Sequence, residues 1–250
     1  MKLAASSWSV HRALEDGKMT QQDFILKCSR EWHLDGVELL DRHFPRPTKN
    51  YLRELKRICT CEGLTISCIA VSNDFGKPTA AERRDEVDKV RKWIEAAAFL
   101  GAPVIRVFAG SAQERPEQIR PKMVENLRRC SDSGEEAGVI LGLENHGGFT
   151  QKPEDLLNIL REVDSKWLMH VLDTGNYGDH SYDSIEKTLP EAVHVHAKVI
   201  KLDGLDYGRI MTLLRKYKYQ GFLSVEYEGK GEEVGETSRA IAMLRGHLRQ

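Results

Sequence analysis

The 250-residue chain contains no apolar run near the ~18–20 residues a membrane-spanning helix needs, and its start, MKLAASSWSV, lacks the apolar stretch of a secretory signal. Neither a membrane nor an export role is expected. No surplus of one charge exists either. Lys+Arg 37 against Asp+Glu 38 gives a formal net charge of -1, which provides no electrostatic footprint for nucleic acid or an anionic membrane. Cysteine is sparse and odd in number: Cys28, Cys59, Cys61, Cys68 and Cys130 match no zinc-site spacing, and Cys59-Thr60-Cys61 is C-x-C. Reduced thiols in a cytoplasmic protein are the expectation. No G-x-G-x-x-G follows the first strand candidate, and nothing resembles a phosphate-binding P-loop. No linker, low-complexity tract or charge block divides the chain, so residues 1–250 read as one domain.

What is present is a soluble composition, 40% hydrophobic and 30% charged, with a recurrent pattern. Eight short apolar runs read as strands: Lys2–Trp8, Gly36–Leu40, Thr65–Val71, Val104–Phe108, Val139–Glu144, His170–Asp173, Ala192–Ala197 and Phe222–Glu226. Charged segments of helical periodicity separate them. TQQDFILKCSREWH opens on an N-cap Thr20, PTKNYLRELKRICTCEG closes on Gly63, and TAAERRDEVDKVRKWIEAAAFLG runs from Thr79 to Gly101. Eight strand–helix units in this length predict a single-domain α/β fold, a (β/α)8 TIM barrel, with a doubly wound open sheet as the structural competitor.

Parallel strands covered on both faces should be apolar nearly throughout. The last four break this rule at one end only. With a period of two, the fifth places Gly142, Glu144 and His146 on one face, and the sixth Val171 and Asp173. The seventh places His194, His196 and Lys198 there, and the eighth Ser224, Glu226 and Glu228. In a barrel these ends ring half the mouth. Three carboxylates so gathered repel one another, and burial adds a desolvation cost. A divalent cation relieves both. Glu144, Asp173, His196 and Glu226 are therefore the expected metal ligands, and the oxygen-rich set favours Mn²⁺ over Mg²⁺, Co²⁺ or Zn²⁺. Any one such glutamate alone reads as a surface or helix-end carboxylate; four ligand-type residues on consecutive strands carry the inference.

His146 and Lys198 lie two residues beyond Glu144 and His196. The imidazole titrates near neutrality and suits a general acid or base; the ammonium suits a developing enolate oxygen. The plainer alternatives are a loop-anchoring bond for His146 and a salt bridge from Lys198 to Glu226 or Glu228. Glu38 on the second strand, Asn73 after the third and Arg106 on the fourth are candidates for contact with substrate. Trp8 and Phe108 could stack on a sugar ring or roof the pocket. His194 reads as support for His196, His170 as structural, and His11, His33, His180 and His247 as surface or loop residues.

The ordered motifs LENHGG, LDTGN, HVHAK and SVEYEG, with GVELL and APVIRVFAG before them, resemble the sugar phosphate isomerase/epimerase family of the xylose isomerase-like TIM-barrel superfamily. The resemblance covers essentially the whole chain. It implies that Glu144, Asp173, His196 and Glu226 hold the metal. In the ketose 3-epimerase branch the two glutamates, here Glu144 and Glu226, also exchange the substrate proton. Three positions depart from that branch: Thr150 stands for its second glutamate, Asn176 for its histidine after the metal aspartate, and Leu202 for its arginine after the metal histidine. The expected function is a metal-dependent isomerase or epimerase of a sugar or keto-sugar, working by proton abstraction next to a carbonyl. The alternative is a lyase or dehydratase that expels a β-substituent. More remote are a nuclease of the endonuclease branch, for which His43, His180 and Glu38 would be further ligands, and a barrel without catalysis. A small sugar-like molecule is the expected partner; a second copy or another subunit at the mouth is left open.

Overall fold

Each of the eight apolar runs becomes a strand in the computed structural model, which describes residues 1–111, 115–178 and 181–249. The strands are β1 (Lys2–Ser6), β2 (Gly36–Leu40), β3 (Thr65–Ala70), β4 (Val104–Val107), β5 (Ile140–Glu144), β6 (Leu168–Asp173), β7 (Ala192–Val199) and β8 (Phe222–Tyr227). Between and after them lie α1 (His11–Glu15), α2 (Gln21–Arg30), α3 (Lys49–Cys61), α4 (Ala80–Leu100), α5 (Pro116–Ala137), α6 (Pro153–Val163), α7 (Ser181–Thr188), α8 (Tyr207–Lys216) and α9 (Glu233–Leu248). All neighbours are parallel, and β8 pairs with β1, so the sheet closes in sequence order. This is the (β/α)8 TIM barrel in a single domain, and the open-sheet alternative falls. No helix among the described residues is long and apolar enough to cross a membrane.

Local chemistry sets the element boundaries. Thr20 with Asp23, and Thr79 with Glu82, each form a reciprocal capping box that starts α2 and α4. The first strand ends two residues earlier than its apolar pattern suggests. Ser6 Oγ accepts the Trp8 backbone N–H (3.3 Å) and caps a 3₁₀ turn over Ser7–Val10. That turn carries Trp8 across the mouth instead of continuing the strand.

The main core fills the space between sheet and helices. A smaller cluster, Cys68, Val104 and Val171 with Ile140 and Val193 packed on it, forms apart from it. Gly142 in β5 is required by close packing: a Cβ there would lie 2.3 Å from Val171 Cγ2. Irregularities in register fall just before Glu38 in β2 and just before Val171 in β6. In each the extra residue lies on the facing strand, Ser67 in β3 and Val193 in β7, and it is that strand which bends.

Candidate active site

The carboxyl ends of β5 to β8 bring Glu144, Asp173, His196, Lys198 and Glu226 together, all of them buried. Glu144, Asp173 and His196 each offer a ligand atom, all within 4.8 Å of one another. Glu226 Oε1 lies 3.7 Å from His196 Nδ1, and Glu144 Oε2 lies 3.8 Å from the same nitrogen. Three donor atoms in this group, Glu144 Oε2, Asp173 Oδ2 and His196 Nδ1, are buried without a hydrogen-bond partner. Unpaired buried polar atoms are costly. Carboxylate oxygens and an imidazole nitrogen converging on one point suit a divalent ion, so the donor set fits the expected group.

The electrostatics match. Burial pushes the Asp173 carboxyl up to about 7, against the pull of the Lys198 ammonium. Burial opposes charge on His196 as well, yet the Glu38, Glu226 and Glu144 carboxylates around it lift its imidazole to about 10. Lys198 is held protonated, above its ordinary range, because Asp173, Glu226, Glu228 and Glu144 outweigh its desolvation. Its Nζ lies 3.3 Å from Asp173 Oδ2, 3.6 Å from Glu226 Oε2 and 3.1 Å from Glu228 Oε2. Both salt bridges considered for Lys198 therefore form, and they place the ammonium inside the acidic cluster. Gly175 makes room for the lysine stem: a Cβ there would meet Lys198 Cδ at 2.8 Å.

Two asparagines that the sequence pattern did not single out organise the cluster. Asn176 Nδ2 donates to Glu144 Oε1 (3.1 Å), and its Oδ1 accepts from Lys198 Nζ (2.8 Å). Asn145 ties the end of β5 to β6, donating to the Asp173 carbonyl (3.0 Å) and accepting from its N–H (2.8 Å). Asp173 Oδ1 in turn accepts the Gly175 and Asn176 N–H groups (2.7 and 2.9 Å), which leaves Oδ2 for the cluster. The signal in sequence was position: Asn145 directly follows the end of β5, and Asn176, three residues past the end of β6, stands where the resemblance places a histidine.

A cavity of about 230 Å³ opens onto this group, lined by Trp8, Leu40, Arg42, Ser72, Arg106, Phe108, Glu144, His146, Glu226 and Glu228. Arg106 Nε lies 3.0 Å from Glu144 Oε2, and its guanidinium stacks 3.9 Å over the Phe108 ring. His146 packs on the same ring at 4.3 Å, and its backbone N–H is held by Thr150 Oγ1 (3.1 Å). The indole N–H of Trp8 donates to Glu228 Oε1 (3.0 Å). A larger groove, about 560 Å³, lies on the outside between α3 and α4, but none of its charged side chains is buried.

Of the candidates for contact with substrate, Arg106 and Trp8 line the cavity; Glu38 and Asn73 do not. Glu38 has 0% exposure, with Oε2 2.9 Å from His194 Nε2 and Oε1 2.9 Å from His196 Nε2. It faces the two histidines and not the cavity. Asn73 spends its amide on the Phe108 backbone, accepting its N–H and donating to its carbonyl (both 2.9 Å). His43 is buried and shares a hydrogen bond with Ser7 Oγ (2.9 Å), so it is neither a surface residue nor part of the cluster. His180 lies outside the described residues.

Residues 27–247 match the family described as the xylose isomerase-like TIM barrel. An uncharacterised protein of Methanocaldococcus jannaschii is 26% identical over 249 residues, spanning 87% of this chain and 82% of that one. Among solved structures, a D-tagatose 3-epimerase-like protein superposes with a TM-score of 0.83 at 20% identity, covering 100% of this chain and 97% of the other. The probable 3-DHS dehydratase AsbF of Bacillus anthracis gives 0.79 at 20% identity, covering 98% and 99%. The 3-keto-D-glucoside 4-epimerase of E. coli gives 0.79 at 19% identity, with the same coverage. Solved structures sharing this fold thus include both epimerases and a dehydratase, and the match over residues 27–247 makes this chain a member of the xylose isomerase-like TIM barrel family.

Proposed function

We propose that the protein is a divalent-metal-dependent isomerase or epimerase of a small sugar or keto-sugar, abstracting a proton next to a carbonyl. The observation that carries this reading is the clustering of Glu144, Asp173, His196 and Glu226 around a buried ammonium, with Glu144 and Glu226 opening onto one small cavity. At about 230 Å³ the cavity is smaller than the usual drug-sized site and suits a single sugar ring between Trp8 and Phe108. Glu144, Asp173, His196 and Glu226 would hold the ion, and the oxygen-rich donor set favours Mn²⁺. When bound, such an ion supplies Lewis-acid polarisation of a carbonyl.

The chain's own groups divide the remaining work. Glu144 is engaged by Arg106 and Asn176, which orient it. Glu226 is held more loosely, 3.6 Å from Lys198 Nζ and 3.7 Å from His196 Nδ1, and is the group best placed to take the substrate proton. The Lys198 ammonium faces the charge that develops on the enolate oxygen. With Glu144 protonated, delivery of its proton to the opposite face, while Glu226 keeps the one it took, gives epimerisation; return of the proton from Glu226 to the neighbouring carbon gives isomerisation.

The second reading, elimination, draws on His146. Its exposed ring stands on the cavity wall against Phe108. There it can protonate a departing hydroxyl or alkoxide, while the tether of Glu144 to Arg106 disfavours its service as a second base. The experiment is a set of ketohexoses and 3-keto-glycosides incubated with Mn²⁺-loaded protein in D₂O and followed by NMR. Deuterium uptake beside the carbonyl, lost in Glu226→Gln, supports proton abstraction; a product that keeps every hydroxyl and the glycosidic oxygen gives the first reading, and an unsaturated product that has lost water or the alkoxide gives the second. Unchanged substrates throughout, with the metal demonstrably bound, would sink both.

A further inference from the structure

A carboxylate with no solvent exposure, deep in a barrel, needs an explanation that its distance from the cavity does not supply. Glu38 is placed on β2 behind an irregularity in register, and both its oxygens face imidazoles. One oxygen makes an aligned hydrogen bond with His194 Nε2 at 2.9 Å, which fixes the carboxylate. Ser6 Oγ reaches the other oxygen at 3.4 Å. That same oxygen stands 2.9 Å from His196 Nε2, off the axis of an ideal hydrogen bond. The His196 ring thus spans two anionic environments. Its Nε2 looks down onto Glu38; its Nδ1 looks up between Glu144 and Glu226.

We propose that Glu38, locked by His194, is the positioning residue of the metal site: it holds the Nε2 proton of His196 and so commits Nδ1 to the ion. The inference rests on the metal-site reading above and extends it to a residue that touches neither ion nor substrate. A neutral imidazole carries one proton, and which nitrogen carries it decides which one can ligate. An acceptor carboxylate behind a ligating histidine fixes that choice, sets the ring plane and increases the basicity of the ligating nitrogen. A neighbour that only packed against the ring would do none of these. His194 acts one step further back. It consumes the second carboxylate oxygen, so the glutamate cannot rotate away.

The test has two readouts, neither of them turnover. Free Mn²⁺ is titrated by its EPR signal against wild type and Glu38→Gln, which keeps the shape and an acceptor oxygen but removes the charge. The expected result is an affinity about 10- to 100-fold weaker in the variant. Separately, wild type labelled with ¹⁵N-histidine and loaded with Zn²⁺ is examined by NMR; this needs no variant to fold. His196 is expected to be ligated at Nδ1 and protonated at Nε2. Equal Mn²⁺ affinity in Glu38→Gln, or ligation of His196 through Nε2, overturns the proposal. Wild type that binds neither Mn²⁺ nor Zn²⁺ overturns the metal-site reading itself, a different and recognisable failure.

Discussion

Lys198 places a fixed positive charge where an ion's positive charge is also needed. Its ammonium lies 3.3 Å from Asp173 Oδ2 and 3.6 Å from Glu226 Oε2, two of the expected ligand groups. Two like charges a few ångströms apart repel by about 1 kcal/mol or more even in a well-screened site. Lys198→Met should therefore bind Mn²⁺ more tightly, by about tenfold, while losing about 10²- to 10³-fold in turnover if the ammonium meets developing charge. Calorimetric titration beside a rate assay checks the opposite signs; weaker binding in the variant would mean that the lysine organises the ligands. The protons of the cluster give a second prediction. His196, lifted to about 10, must release a proton to ligate, and Asp173, raised to about 7, must be ionised. Low pH fills both groups and opposes the ion. Mn²⁺ affinity should climb with pH, with up to two protons released per ion below pH 7 and one above it. Calorimetry in buffers of different ionisation heat counts them.

Among the secondary elements, the strands were the most legible in sequence. Short apolar runs between amphipathic segments have no other use in a chain of this composition, and the polar ends of the last four mark the mouth. Alternation reveals which face a side chain occupies but not its height along the barrel axis. That is why Glu38, with the right parity, was expected at the substrate and instead faces His194 and His196, away from the cavity wall. Asn145 and Asn176 were hidden for a related reason: they act from loops, where no period exists, and their partners lie 22 to 32 residues away. Trp8 was read as strand because Ser6 looks like any small strand residue until its hydroxyl caps the turn. Glycine supplies the prediction for this scale. Gly142→Ala in β5 would put a methyl 2.3 Å from Val171 Cγ2, and β5 carries Glu144. A loss of about 1–3 kcal/mol is expected, measured by urea denaturation, with a parallel loss of metal affinity. A neutral result would show that β6 yields locally.

For the molecule as a whole, the proposed ion links the cluster to the stability of the fold. Glu144 Oε2, Asp173 Oδ2 and His196 Nδ1, buried without hydrogen bonds on β5, β6 and β7, face one another across two strand pairs. An ion that binds the folded chain alone stabilises it by about 2.7 kcal/mol at a hundredfold excess over Kd. Removing metal with a chelator should lower the melting temperature by about 5–10 °C, and Mn²⁺ should restore it. Glu226→Gln should melt at the same temperature with or without the chelator. The seam where β8 meets β1 extends the point. Ser9 Oγ donates to the Val225 carbonyl and accepts the Tyr227 N–H, both at 2.9 Å, and Trp8 reaches Glu228, which holds Lys198. During synthesis β8 leaves the ribosome last of the strands. Until it does, the nascent chain has neither Glu226 nor the brace for its lysine. On the proposed reading, a metal ion meets only a fragment of the site before that point, so its capture would mark a finished barrel.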